Sequence, residues 1–147
     1  MIEINNLTTT IVDEEFLRKI AERIIREEIK KEVDLSIALL GSGRMQEINK
    51  RYRGKNKVTD VLSFAEVKVQ KEKFKVGPLK KIQGLGEIVI CLREVKKNAK
   101  RYGSNFGKEL NRVLIHGLLH LLGYDHEKNE KEAEEIRKKE DYYLNQI

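Results

Sequence analysis

His116-Gly117-Leu118-Leu119-His120-Leu121-Leu122-Gly123-Tyr124-Asp125-His126 is the stretch from which the rest of the chain is read. It holds all three histidines of the sequence, at relative positions 1, 5 and 11. The apolar run around it predicts an α-helix, on which residues four apart share a face one turn apart. His116 and His120 then present two imidazoles side by side. Gly123 can adopt a left-handed conformation and end the helix. The reversal lets His126 come back toward the other two. A histidine on an apolar face is ordinarily a hydrogen-bonded core residue, but three at this spacing make a metal-ligand array. Three protein ligands leave a tetrahedral zinc one open position, the pattern of a catalytic rather than a structural site. The expected cofactor is therefore one Zn2+ per chain, although other divalent transition metals also accept imidazole.

Bulk properties bound the answer further. A length of 147 residues predicts a single domain, 1–147, large enough to bury its own core. The one cysteine, Cys91, can neither close an internal disulfide nor build a cysteine-based zinc site. It ends the apolar run Ile88-Val89-Ile90-Cys91, as a buried thiol would. Met1-Ile2-Glu3-Ile4-Asn5-Asn6 lacks the pattern of a secretory signal. The uncharged stretch Val113 to Tyr124 is too short to span a bilayer. The expectation is a cytoplasmic protein with no membrane partner; nothing in the sequence sets its oligomeric state. Residues 44–108 hold 18 Lys and Arg against six Asp and Glu, a net of +12, whereas the rest of the chain is net −6. That asymmetry suits one surface to phosphates, or else marks a lysine-rich solvated face.

Periodicity gives the organisation. Ile2 to Leu7 reads as a strand. Asp13 reads as the cap of a helix reaching about Lys31, with apolar residues at helical spacing from Phe16 to Ile29. Val33, Leu35, Ile37 and Leu39 alternate as a strand does. Ser42 reads as the cap of a second helix with Met45, Ile48 and Tyr52 on one side. Arg53 to Lys57 is a basic turn, and Val61 to Val67 a third strand. Lys68 to Gly84 reads as a long loop with six lysines and the only proline, Pro78. Glu87 to Cys91 is a fourth strand. Helices follow near 92–102, 107–122 and 128–146, the last with a thin stripe of Ala133, Ile136, Leu144 and Ile147. The pattern predicts an α+β layered domain: a roughly four-stranded mixed sheet, about five helices, and a metal site on a C-terminal helix and the turn after it.

The ligand set alone is compatible with amide, ester or phosphodiester hydrolysis. One absence helps to choose. His116 to His126 has the spacing of the long zinc-protease motif H-E-x-x-H-x-x-G-x-x-H, in which the residue after the first histidine is the glutamate base. Here that residue is Gly117, which cannot carry a proton. A phosphodiester substrate is therefore favoured over a peptide. Asp125 is a candidate to orient a ligand, form the turn or act as a base.

The same stretch closely resembles the signature of the YbeY family of bacterial rRNA maturation factors, H-G-x-L-H-L-x-G-Y-D-H. Tyr52-Arg53-Gly54-Lys55 and Thr59-Asp60-Val61-Leu62-Ser63-Phe64 are similar to that family's Y-R-G-K-x-K-P-T-D-V-L-S-F block. Gly86-Glu87-Ile88-Val89-Ile90-Cys91 is similar to its G-D/E-I-x-I-C strand. The blocks occur in family order over nearly the whole chain; Val58 departs from the usual proline. The resemblance implies a metal-dependent, single-strand-specific endoribonuclease acting in 16S rRNA 3′-end maturation and ribosome quality control, with rRNA and the small ribosomal subunit as partners. It implies zinc on His116, His120 and His126, and a functional Arg53.

Arg53 and His116 are thus the catalytic candidates. A guanidinium at position 53 can grip a phosphate by two hydrogen bonds and offset transition-state charge. Asp60 is expected to pin the turn before the third strand or to orient a histidine. Lys55 and Lys57, with the lysines of 68–81, can track an RNA backbone. That lysine loop contains only Phe74 among aromatics, so base stacking is not expected there. Two rival readings remain: a ribosome-associated assembly factor with a structural metal, and a zinc peptidase lacking its usual base.

Overall fold

The computed structural model describes residues 1–66, 83–124 and 129–147. Among these residues nine elements follow one another: β1 (Ile2–Asn6), α1 (Glu14–Ile29), β2 (Val33–Leu40), α2 (Ser42–Arg53), β3 (Val61–Ala65), β4 (Gln83–Cys91), α3 (Leu92–Arg101), α4 (Phe106–Leu121) and α5 (Glu130–Leu144). The strands form one sheet in the order β1-β2-β4-β3. β1, β2 and β4 are parallel, and β3 runs antiparallel at the edge beside β4. This is the mixed four-stranded α+β arrangement that the alternation predicted.

The two faces of the sheet bury different things. Val33, Leu35, Ile37 and Leu39 of β2 and Ile88 and Ile90 of β4 join the larger core with α1, α4 and α5. Ala38 and Leu40, with Val89 and Cys91, face the other way and pack with Met45 of α2. Strict alternation along each strand produces this division. α4 is the hub of the larger core, in contact with α1, α3, α5, β3 and β4. Leu110, Val113, Leu114, Ile115, Leu118, Leu119 and Leu121 are all buried, which is the all-round apolar character of an enclosed helix. Cys91 is a buried free thiol, as its apolar context predicted.

Several details differ from the expectations. Gly41, not Ser42, precedes the first turn of α2, and no side chain caps it; the Ser42 hydroxyl instead lies 3.9 Å from the Cys91 sulfur. α2 buries Met45 and Asn49 and leaves Tyr52 exposed. Asn49 is accommodated because its side-chain amide donates to the Lys57 carbonyl at 2.9 Å. β4 begins at Gln83, four residues before the predicted start at Glu87. Most of the expected lysine loop, residues 68–82, lies outside the described residues, and its last two positions belong to β4. In α5 the buried positions are Ile136, Glu140 and Tyr143, while Ile147 is exposed.

Candidate active site

α4 carries a polar stripe through its apolar surroundings. Asn105 caps it, accepting the Lys108 N–H at 2.9 Å. Glu109, Arg112, His116 and His120 then recur at three- and four-residue steps, so they share one face. The Nε2 atoms of His116 and His120 stand 3.0 Å apart, with ring centroids separated by 4.6 Å. The helix stops as the sequence predicted. Gly123 takes a φ of 100°. Its N–H donates to the His120 carbonyl at 3.1 Å, and the Tyr124 N–H donates to the Leu119 carbonyl at 3.0 Å. This paired closure is the glycine-terminated motif that ends a helix.

The other nitrogen of His116 has a dedicated partner. Its Nδ1 contacts a carboxylate oxygen of Glu140, a buried residue of α5. A carboxylate accepting Nδ1–H leaves Nε2 as the lone-pair nitrogen, directed at His120. Carboxylate, imidazole and cation in series is the usual support of a metal-bound histidine. Two tetrahedral ligand atoms about 2.0–2.1 Å from zinc lie roughly 3.3 Å from each other, close to the separation found here. The residues present therefore fit a zinc ion. Among the described residues there is no group of three potential ligands; His126 and its neighbour Asp125 lie outside them. Arg112, one turn before His116, is engaged by Glu109 through two guanidinium nitrogens. That hydrogen bond, reinforced by the charges of Glu109, Glu140 and Asp60, raises its pKa against the opposing effect of burial.

A second chain of contacts approaches α4 from the sheet edge. Cys91 N–H donates to the Asp60 carbonyl at 2.8 Å and Glu66 N–H to the Leu85 carbonyl at 3.2 Å. The even-numbered residues of β3 therefore pair with β4, and the Ser63 carbonyl points to the open edge. Arg53, the last residue of α2, donates to that carbonyl from Nη2 at 2.7 Å. On the other side of the same residue, the Ser63 hydroxyl donates to the Gly117 carbonyl of α4 at 2.8 Å. Arg53 and the histidine helix are thus tied through one residue of β3. Lys55 and Lys57 are exposed in the turn between α2 and β3. Asp60 bonds through its backbone to Cys91, while its carboxylate accepts from Asn98 of α3 at 3.3 Å and from Thr59 at 3.4 Å.

Gly117 explains the missing glutamate in physical terms. A Cβ there would come within 3.0 Å of Val61 Cγ2, 3.2 Å of Ile88 Cγ2 and 3.3 Å of Ser63 Oγ. The position faces the sheet, so a longer side chain would have to enter the packed interface between α4, β3 and β4. Tyr124, at the start of the reversal, is buried and donates to Glu28 of α1 at 3.1 Å. Burial and the Glu28 charge push its phenol up to about 12. A cleft of about 430 Å³ opens beside it, lined by Glu28, Tyr142, Tyr143 and Lys139 among others and by neither of the described histidines.

Sequence reasoning missed Glu140 and Ser63. Both were hidden by context: Glu140 is one of many charges in α5, and Ser63 acts through a hydroxyl and a carbonyl that no spacing rule flags.

Comparison with known proteins places this geometry in a family. The family model described as Endoribonuclease YbeY matches residues 3–147. A relative of that name from Sulfurihydrogenibium sp. (strain YO3AOP1) is 41% identical over 122 residues, covering 83% of this chain and 75% of the relative. Another from Staphylococcus saprophyticus is 36% identical over 141 residues, covering 93% and 90%. The solution structure of a Thermotoga maritima protein superposes with a TM-score of 0.68 at 32% identity, covering 98% of this chain and 87% of that one.

Proposed function

The chain belongs to the endoribonuclease YbeY family, and on that premise we propose that residues 1–147 act as one zinc-dependent hydrolase domain cutting single-stranded RNA. The substrate is the 3′ region of 16S rRNA, met in the cytoplasm on or beside the small ribosomal subunit. No described helix is long and apolar enough to cross a membrane. The observation that carries the reading is the convergence of the His116 and His120 Nε2 atoms at 3.0 Å, with Nδ1 of His116 committed to Glu140.

His116 and His120, with His126 as third ligand, would hold the ion. When bound, zinc supplies a Lewis acid for a phosphoryl oxygen and brings the pKa of a water molecule down to about 7. Arg53 supplies the complementary charge. Its Nη2–H is spent on the Ser63 carbonyl, which fixes the plane of the guanidinium at the β3 edge. The remaining N–H groups are donors for a phosphate oxygen, where charge grows in the transition state. Ser63 keeps that edge in register with α4. Glu140 holds the His116 ring and its tautomer. Asp60 secures the junction between β3 and α3 rather than moving protons. Water and the RNA's own 2′-hydroxyl are both competent nucleophiles beside such a site; a 2′,3′-cyclic phosphate on the product would assign the second.

The test is cleavage of a labelled single-stranded RNA by zinc-loaded protein. His120→Ala and Arg53→Ala should each lower the rate by about a hundredfold or more, and chelation should abolish cleavage while far-UV dichroism stays native. Undiminished cleavage in both variants would reject the assignment. Loss of the fold together with the metal would favour a structural ion instead.

A further inference from the structure

The second aromatic cluster of interest lies away from the histidines, around the edge of β3. Tyr52 of α2 is 63% exposed although its ring meets Phe64 of β3, edge to face, at 5.6 Å between centroids. Cations flank both rings. The Arg51 guanidinium lies 5.9 Å from the Tyr52 centroid, and the Arg53 guanidinium 5.2 Å from that of Phe64. From residue 42 to residue 57 the chain carries six cations, Arg44, Lys50, Arg51, Arg53, Lys55 and Lys57, against the single carboxylate of Glu47. Phe64 packs on the α2 side of the sheet, whereas the Ser63 hydroxyl reaches α4 on the opposite side. Arg53 stands between them, touching the Phe64 ring and the outward Ser63 carbonyl at once.

We propose that Tyr52 and Phe64 form a stacking platform for a nucleobase of the single-stranded RNA, one step along the strand from the phosphate held by Arg53. This rests on the reading of the protein as an RNA-cleaving hydrolase and adds a base-binding subsite to it. An exposed aromatic on its own would signify nothing. The combination of an exposed ring, a supporting ring and a cationic rim is what single-strand binders use, because every base offers a π-face and every linkage a charge. The other tyrosine pair, exposed Tyr142 against buried Tyr143, is less suited. Three carboxylates, Glu27, Glu28 and Glu135, outnumber Lys138 and Lys139 around its cleft, so no cationic rim is offered to phosphates. The platform also accounts for strand selectivity. A base inside a duplex has both faces covered by its neighbours and cannot reach Tyr52, whereas an unpaired base can be splayed onto it.

The experiment uses zinc-loaded full-length protein and short single-stranded oligoribonucleotides in which 2-aminopurine replaces one base at a time, read by stopped-flow fluorescence before turnover. Wild type should quench the probe at one position. Tyr52→Leu should lose that quench and bind about five- to hundredfold more weakly, equally on oligoadenylate and oligouridylate, while Tyr52→Phe keeps both. Removing the base at the quenched position should weaken wild type by the same factor and Tyr52→Leu no further. Phe64→Leu should reproduce part of the loss. If wild type cleaves and Tyr52→Leu binds equally well with the quench intact, the platform is wrong and the hydrolase reading stands. If wild type neither binds nor cleaves single-stranded RNA, both fall.

Discussion

Removing the Glu140 carboxylate should weaken zinc binding without unfolding the protein, and the size of the effect can be worked from its surroundings. The Glu140 side chain is 11% exposed and that of His116 25%, so water competes little for their contact. Orienting partners of this kind are worth about ten- to a hundredfold in metal affinity, or roughly 1.4–2.7 kcal/mol. Glu140→Gln keeps an oxygen able to accept Nδ1–H but removes the charge. Charge-assisted hydrogen bonds are about twice as strong as neutral ones, so the amide should lose about tenfold. Glu140→Ala leaves nothing to fix the ring or the tautomer, and should lose about a hundredfold. Competition against a chromophoric chelator at fixed pH measures both. Glu134→Gln on the exposed side of the same helix is the control and should bind zinc as wild type does. Activity at saturating zinc should recover substantially in Glu140→Gln, because the carboxylate acts through His116 rather than on RNA. Should both Glu140 variants bind zinc within about twofold of wild type, the orienting role is refuted, however slow their cleavage.

Two further perturbations probe the frame around the site. Gly117→Ala places a methyl against Val61, Ile88 and Ser63, where overpacking costs about 1–3 kcal/mol and alanine's helix preference returns about 1; the mid-range balance, a loss of about 1 kcal/mol, should lower Tm by about 2–4 °C in a thermal melt, and a raised Tm would contradict the packing. Tyr143→Phe should flatten the alkaline loss of stability. Burial, followed by the Glu28 and Glu27 charges, raises the Tyr143 phenol in the folded state. The unfolded chain releases that proton above its ordinary value of 10.0 while the folded chain keeps it, so stability is whole below that pH and declines above it. Urea melts on either side of this pH read the difference, and an identical alkaline decline in both proteins would remove Tyr143 as its source.

The elements were legible because their periods were clean. α1 and α4 repeat apolar residues at helical spacing and carry Asp13 and Asn105 as caps, and β2 alternates without interruption. β4 is longer than the predicted Glu87 to Cys91, taking in Gln83 and Gly84 from the end of the expected loop. In the sheet Gly86 is the residue on which β3 closes, since a Cβ there would lie 2.3 Å from the Phe64 carbonyl. Glycine in a strand marked a close backbone approach rather than a loop. Helical spacing puts Tyr52 on one side with Met45 and Ile48, yet only Met45 and Asn49 of α2 are buried. α2 turns Asn49 inward instead, held by the Lys57 carbonyl, and the helix face rotates accordingly. The pair His116 and His120 followed directly from the i, i+4 rule. Glu140 did not, yet a signal was present: it falls four residues after Ile136 and three before Tyr143, so a carboxylate occupies the buried stripe of a charged helix. Burying an acid there is costly without a partner, and the partner is a histidine 24 residues earlier.

The site is an assembly of short-range commitments across distant segments. Arg53 ends a helix that packs on one face of the sheet, and His116 sits in a helix buried on the other. The sheet edge connects them, through the carbonyl and hydroxyl of Ser63. An antiparallel edge strand exposes alternate backbone groups, so the outward carbonyl of Ser63 is available because β3 has no further neighbour among the described residues. That open edge is ordinarily a liability. Here it is covered by the guanidinium of the exposed Arg53, and it lies beside exposed Tyr52, half-buried Phe64 and a basic turn. On the proposed reading this edge offers a base platform beside a phosphate contact, and Ser63 ties it to the histidine helix. A polymer of alternating bases and phosphates is the ligand class whose repeat matches that pairing.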